Sequence, residues 1–347
     1  MNRHPILAED LAGVLKRLAP HWPALRGARI FFTGATGFIG RWMLAALHDA
    51  NVAFGLNVSV AILTRDPARF ERDHPELAHA PGFRVVGGDV LTLAHDGIDY
   101  SHVIHAATDA SADLNENDPL RMFDTVLTGT RRALDFARAA GAKRFFYLSS
   151  GAVYGAQPWT VAKVAEDYAG GPDLASHRSA YAEGKRAAEM LCTIHGRQFG
   201  LDIVNARIFA LLGPMLSLDI HFAAGNFIRD AMAGHRVIVQ SDGRAERSYL
   251  YAADLTEWLW AILLRAAPRS TYNVGSEEAI SIGDLAARTA GLLGSAGHEI
   301  LGQPDPGWNP GRYVPSTARI RRDLGLSPTV DLDEAIRRTA AWNGWNA

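Results

Sequence analysis

The stretch Arg29-Ile-Phe-Phe-Thr-Gly-Ala-Thr-Gly-Phe-Ile-Gly40 constrains the chain more than any other. The apolar run Ile30 to Phe32 has the length and character of a buried strand. It breaks into a turn with glycines at 34, 37 and 40, after which Trp42-Met-Leu-Ala-Ala-Leu47 continues as a helix. Strand, glycine turn and helix in this order set backbone N–H groups and a helix N-terminus against a pyrophosphate. Gly34 permits the tight turn, Gly37 lets the backbone approach the phosphates, and Gly40 lets the helix pack closely on the strand. The spacing is G-x-x-G-x-x-G rather than the commoner G-x-G-x-x-G. By itself it does not separate a nucleotide site from a glycine-rich corner of another α/β protein.

The 347 residues suffice for a large core and two lobes. With 35 basic and 37 acidic residues and no charged block, neither nucleic acid nor an anionic membrane is an expected partner. Apolar runs such as Trp258–Leu264 are too short to span a bilayer. The first ten residues carry acids and lack the apolar core of a signal peptide. The one cysteine, Cys192, rules out a disulfide within the chain and fits a cytoplasmic protein.

Further strands are expected at Val58–Leu63, Phe83–Val86, from His102, at Arg144–Ser149 and at Ile203–Ile208, with helices over 120–140 and 179–199. This alternation predicts an α/β fold with a parallel sheet covered on both faces. Helical spacing at 7–19 predicts a helix ahead of the glycine turn, covering an edge of the sheet. Later pieces read as a helix at His221–Gly234, a strand at Val237–Val239 and another at Arg247–Tyr251. A helix capped by Asp254 then runs to Leu264. A strand at Tyr272–Val274 and a helix starting at Ser281 or Asp284 follow.

Two strand ends bear on a bound cofactor. After the second strand the chain reads Thr64-Arg65-Asp66. An arginine there favours a ribose 2′-phosphate and an acid a free 2′-hydroxyl. Arg65 leans the reading towards NADP, and Asp66 keeps NAD open. Asp89 either caps its own turn or meets an adenine edge. His105, before the small residues Ala106 and Ala107, reads as a packed side chain in preference to a catalytic base.

Tyr181 and Lys185 are four apart and share a helix face. A free phenol, with a pKa of about 10, is a poor base at neutral pH. A nearby ammonium stabilises its phenolate. Such a tyrosine exchanges a proton with a substrate hydroxyl while a nicotinamide exchanges hydride at the same carbon. Ser150, at a strand end, is placed to hydrogen-bond the same oxygen.

These motifs together resemble the extended short-chain dehydrogenase/reductases, in the epimerase/dehydratase branch that acts on nucleotide sugars. The matching residues are Thr33–Gly40, Gly88-Asp89-Val90, His105-Ala-Ala107, Ser149–Gly155, Tyr181–Lys185, Gly213-Pro214, Gly225–Ile228 and Asp242–Asp254. The resemblance implies a Rossmann-type doubly wound parallel sheet with a smaller C-terminal α/β substrate lobe. Residues 1–26 then form a helical extension and 27–210 the dinucleotide-binding domain, to which 245–275 returns. Residues 211–244 and 276–347 form the substrate lobe. It implies Tyr181 as acid/base, Lys185 on the nicotinamide ribose and Ser150 on the sugar hydroxyl. The cofactor, NAD or NADP, would lie on Gly34, Thr36, Gly37, Phe38, Ile39, Gly40, Arg65, Asp89, Val90, Ala106, Ala107 and Lys185. Asn226 and Arg247 would grip a nucleotide diphosphate. No metal is implied, and the helices at 120–140 and 179–199 would pair in a homodimer.

Departures from the family pattern narrow the reaction. Sugar 4,6-dehydratases and UDP-glucuronate decarboxylases of this family carry an acid just after the strand-end Ser or Thr. Here those positions are Gly151 and Ala152. What remains is a nucleotide-sugar epimerase first and an NADPH-dependent 4-keto-sugar reductase second. A dehydratase drawing its acid from elsewhere, such as Glu183, a reductase of a non-nucleotide carbonyl, and a non-catalytic dinucleotide sensor follow. Val126 stands near where the family usually has an asparagine.

Overall fold

The computed structural model of the chain describes residues 3–108, 112–219, 223–305, 307 and 310–346. Its centre is a seven-stranded sheet. β1 (Arg29–Thr33), β2 (Ser59–Thr64), β3 (Phe83–Gly87), β4 (His102–His105), β5 (Arg144–Ser150) and β6 (Asp202–Ile208) are joined by the late strand Thr271–Val274. The spatial order is Thr271–Val274, β6, β5, β4, β1, β2, β3, and every pairing is parallel. The chain leaves β1 towards β3, then returns to the other side of β1 as β4. The resulting crevice at the carboxyl ends of β1 and β4 is where such sheets take ligands.

Both faces of the sheet are buried apart from its edge strand β3, and the inner strands are therefore apolar along most of their length. Ile30, Phe32, Ile62, Ile104, Phe146 and Val204 face one core. Phe31, Ala61, Val103, Phe145, Tyr147 and Ile203 face the other. The second core is closed by the helices Pro119–Ala139 and Ala180–Phe199, which pack on each other. The first is closed by α2 (Phe38–Phe54) and by the helix Ala252–Arg265, whose Trp258 and Trp260 are fully buried. Gly55 and Gly200, both left-handed, stop their helices where a side chain would be strained.

α1 (Pro5–Arg17) does not lie along a sheet edge as its spacing suggested. It packs on α2 and on the helix Ala252–Arg265, burying Leu7, Leu11 and Val14 in the first core. A stripe of that width needs a groove between helices, which an edge strand does not offer. Asp10 accepts from the Tyr251 hydroxyl and from Arg338 of the C-terminal helix Leu332–Trp342. Arg17 pairs with Glu257.

The span 247–251 is not one strand. Glu246–Arg247 pairs with Ile280–Ser281 and Arg312–Tyr313, whereas Leu250–Tyr251 pairs with Leu211–Leu212. The chain thus steps from one small sheet to another. Asp254 is not a cap. Its carboxylate accepts the backbone N–H groups of Thr329 and Val330, pinning the C-terminal segment. Ser281 does cap its helix, accepting from Asp284 N–H. Ala223–Met232 is helical, while His221 lies outside the described residues.

Candidate active site

The turn after β1 is moulded to its neighbours. Gly34 has φ +73°, and a Cβ there would lie 2.5 Å from the backbone of Ala106 and Ala107. Ala106 N–H donates to the Thr33 carbonyl and Ala107 N–H to the Thr33 hydroxyl, so the ends of β1 and β4 sit flush. A Cβ on Gly40 would overlap the backbone of Ala35. Gly37 is the N-cap of α2 and has no side chain with which to cap the first turn. Phe38 and Ile39 pack into the core, and Thr36 is half-buried beside them. What this corner offers a ligand is therefore backbone N–H groups at the positive end of a 17-residue helix. That donor set fits a pyrophosphate, and the residues present fit a dinucleotide.

At the end of β2, Thr64 is half-buried and Arg65 exposed. Asp66 accepts the Arg69 N–H and caps the helix Pro67–Asp73, which commits its carboxylate. Asp89 likewise caps its own turn, accepting from Leu91 N–H, and Val90 is buried. His105 is fully buried between the hydroxyls of Thr33 (2.7 Å) and Thr130 (3.1 Å). Burial, with the charge of Lys185 adding to it, pushes its pKa down to about 3. It is a neutral packing residue.

Ser150 ends β5 and accepts the Ala152 N–H at 3.1 Å. The helix Ala180–Phe199 brings Tyr181 to this strand end, where the Ser150 side chain acts on its phenol. Desolvation raises the phenol pKa, and Ser150 opposes that rise. Asn115, which sequence reasoning missed, anchors the helix start. Its Oδ1 accepts the Tyr181 N–H and its Nδ2 donates to the Arg178 carbonyl. Asn115 lies in a polar segment with no periodicity to single it out.

Lys185 is buried one turn below. Its Nζ donates to the Leu148 carbonyl at 2.8 Å and lies 4.9 Å from the Tyr147 ring centre and 6.0 Å from that of Tyr181. Burial lowers its pKa to about 7, with Glu189 resisting. Lys185 thus sits beside the Tyr181 ring with its hydrogen bond committed to the Leu148 carbonyl. Glu189 accepts from Ser149 and forks with Arg207, which also reaches the Tyr154 hydroxyl. This network stiffens the ends of β5 and β6.

Tyr313 and Phe209 also went unrecognised in the sequence. Their ring centres lie 4.5 Å apart, tilted by 36°, beside Gly151. A Cβ on Gly151 would lie 2.6 Å from Phe209 Cζ and 2.7 Å from the Tyr313 hydroxyl. Arg247 is the ladder partner of Tyr313, and its charge acts on Tyr313 and Tyr249. Arg247 therefore borders the group of Ser150, Tyr181 and Tyr313. Asn226 sits on the helix Ala223–Met232 with its side chain on Arg229. Val126 fills the crossing with Gly184 at the helix pair.

A sheet crevice with such a backbone cradle and a phenol beside a strand-end serine defines a dinucleotide-dependent enzyme of the Rossmann class. Comparison with known proteins gives the family. The family model for the NAD dependent epimerase/dehydratase family matches residues 30–275, and the chain belongs to that family. It is 30% identical over 311 residues to UDP-glucuronic acid decarboxylase 1 of Xenopus tropicalis, covering 90% of this chain and 71% of that protein. It is 28% identical over 330 residues to dTDP-glucose 4,6-dehydratase of Streptomyces griseus, covering 90% and 93%. The solved UDP-glucose 4-epimerase of Thermus thermophilus, in complex with NAD, superposes with a TM-score of 0.74 at 25% identity, covering 91% and 99%.

Proposed function

We propose that the chain is a nucleotide-sugar epimerase in which Tyr181 is the acid/base and Ser150 holds the reacting sugar oxygen. A nicotinamide, when bound on the glycine turn, supplies the hydride exchange at the sugar carbon. Tyr181 takes the hydroxyl proton as the carbonyl forms and returns it when the alcohol reforms on the other face. The Ser150 hydroxyl donates to the oxygen in both directions. Arg247, a fixed positive charge beside this group, suits the diphosphate of the substrate.

The observation that carries the choice of reaction is the packing at Gly151. Elimination or decarboxylation in the branch relies on an acid just after the strand end. At position 151 a side chain would press on Phe209 and Tyr313, and Ala152 carries no carboxyl. The sequence relatives include a decarboxylase and a dehydratase, so overall similarity pulls the other way. The local chemistry supports reversible oxidation and reduction alone. A reductase is the second reading, favoured by Arg65 at a strand end where the following carboxylate, Asp66, is used as a helix cap. In that case the cofactor is NADP(H).

Denaturing the purified protein and identifying the released molecules by mass spectrometry tests this reading. The expected outcome is retained NAD(H) with a nucleotide sugar, and interconversion of two epimers without net cofactor consumption. Release of NADP(H), with consumption of NADPH against a keto sugar, selects the reductase. Formation of a 4-keto-6-deoxy sugar or of carbon dioxide sinks both.

The protein is further proposed to be a homodimer paired through the helices Pro119–Ala139 and Ala180–Phe199. Leu120, Met190 and Ile194 there are 71%, 60% and 39% exposed, and Met190 and Ile194 share one face. Sedimentation is expected to give a dimer for the natural chain and a monomer for Met190→Glu/Ile194→Glu. A monomeric natural chain at micromolar concentration refutes the pairing. Among the described residues no helix is long and apolar enough to cross a membrane.

A further inference from the structure

The turn Gly213-Pro214-Met215-Leu216 follows the small strand Leu211–Leu212 and closes with the Leu216 N–H on the Gly213 carbonyl at 3.2 Å. Met215 has φ +69°. Proline at the first central position and a positive φ at the second make this a type II turn. Its second position suits glycine or asparagine, so methionine there is strained. Flipping the peptide between Pro214 and Met215 converts type II to type I and returns Met215 to a negative φ. The turn is closely seated at its start, since a Cβ on Gly213 would lie 2.5 Å from the Ala252 Cβ.

Two side chains from the start of α2 oppose the flip. Trp42, fully buried, donates from Nε1 to the Pro214 carbonyl at 2.9 Å. That carbonyl belongs to the peptide that would have to turn over. Arg41 donates from Nη2 to the next carbonyl, that of Met215, at 3.2 Å. Its Nη1 donates to the His74 ring at 3.2 Å, which braces the guanidinium from the other side. What the turn launches is the approach to the helix Ala223–Met232. A Cβ on Gly225 would lie 3.4 Å from the Ser217 carbonyl oxygen and from Leu218 Cα, so this backbone lies against the helix start. Asp219 pairs with Arg229 at 3.5 Å, and Arg229 reaches Asn226 Oδ1 at 3.4 Å. A flipped turn would redirect residues 216–219 and withdraw this support from the face that carries Asn226.

We propose that Arg41 and Trp42 are positioning residues for the nucleotide sugar. By holding the carbonyls of Met215 and Pro214 they keep the turn in its strained form, which seats residues 216–219 against the helix that carries Asn226. The proposal rests on the reading of the substrate as a nucleotide sugar, with Asn226 as a contact of its diphosphate. It concerns substrate binding and not the hydride or proton steps, so its loss falls on KM and leaves kcat near the natural value. The two residues act from the same helix whose first N–H groups face the dinucleotide site, yet their own donors point at the turn.

The test uses Arg41→Met, which keeps the aliphatic stem and removes both donated bonds, and Arg41→Met/Met215→Gly, in which glycine takes the positive φ without strain. Hydrogen–deuterium exchange by mass spectrometry over residues 211–219 reads the turn without any substrate. The Leu216 amide is expected to exchange about tenfold faster in Arg41→Met, the scale set by one non-glycine residue held at positive φ, and to return to the natural rate in the double variant. Calorimetric titration of the dinucleotide-loaded protein with UDP, dTDP, GDP and CDP reads the substrate side. The diphosphate that binds the natural chain should bind Arg41→Met about tenfold more weakly and recover in the double variant, with dinucleotide affinity unchanged throughout. Trp42→Phe, which removes the other donor, should show the same pattern and serves where Arg41→Met does not fold. Unchanged exchange at Leu216, or weakened binding that Met215→Gly does not restore, overturns the proposal. So does an equal loss of dinucleotide affinity, which would place Arg41 at the cofactor. Failure of the natural chain to bind any of the four diphosphates defeats the nucleotide-sugar reading, and this substrate role with it, whatever the exchange shows.

Discussion

Tyr181→Phe is expected to lower kcat by about 10³-fold, within the span usual for removal of a positioned acid/base. The substitution deletes one hydroxyl and leaves the ring in place between the sheet and its own helix. The helix start keeps its tie to Asn115, because that bond uses the Tyr181 backbone. Thermal stability and dinucleotide affinity should therefore stay close to the natural values, and the loss should fall on kcat and not on KM. The measurement is steady-state turnover of the nucleotide sugar identified by mass spectrometry, beside calorimetric titration with the dinucleotide. A variant within tenfold of the natural rate would remove Tyr181 from the chemistry.

Gly34→Ala should be the most damaging change at the cofactor corner. Two costs add there. A non-glycine residue in the left-handed region costs about 1–2 kcal/mol. Forcing a methyl against the backbone of Ala106 and Ala107, 2.5 Å away, costs roughly 1–3 kcal/mol more. The backbone has no rotamer with which to yield, so the turn itself must move off the strand ends. That displaces the N–H groups at the start of α2 that would bind a pyrophosphate. The expected outcome is a lower melting temperature and no retained dinucleotide. Gly97→Ala is the matched control, since Gly97 has φ +81° and nothing within 4 Å of an added Cβ. It should show the backbone strain alone and keep its cofactor. Equal losses in the two variants would mean that the close approach at Gly34 carries no cost.

The features legible in the sequence are the local ones. The glycine corner needs only residues 34–40 and a strand before them. Tyr181 and Lys185 sit one helical turn apart, and Ser150 ends an apolar run. Each is set by a dozen neighbours in the chain, and periodicity exposes it. What escaped depends on distant segments. Tyr313 comes to lie beside Gly151 through the pairing of the late segment Arg312–Tyr313 with Glu246–Arg247. Gly151 read as a missing carboxyl, whereas packing also sets an added side chain there against Phe209 and Tyr313. The spacing of Lys185 suggested a partner for the phenol, but its proton goes to the Leu148 carbonyl. Among the acids, Asp89 caps its own turn, one of the two roles its position allowed, and Asp66 caps the next helix, both local; Asp254 instead holds a segment 75 residues further on, a partner no local window contains.

The seating of α1 bears on how this protein can be handled. The stretch matched by the family, 30–275, excludes both α1 and the helix that carries Arg338. Yet Asp10 bonds to both Tyr251 and Arg338, and Leu7, Leu11 and Val14 share an interior with Trp22 and Trp260. Cutting the gene at homology borders would slice through that interior, strand the Tyr251 hydroxyl and lay tryptophan faces open to water. The smallest autonomous unit is thus wider at both ends than kinship alone would draw it.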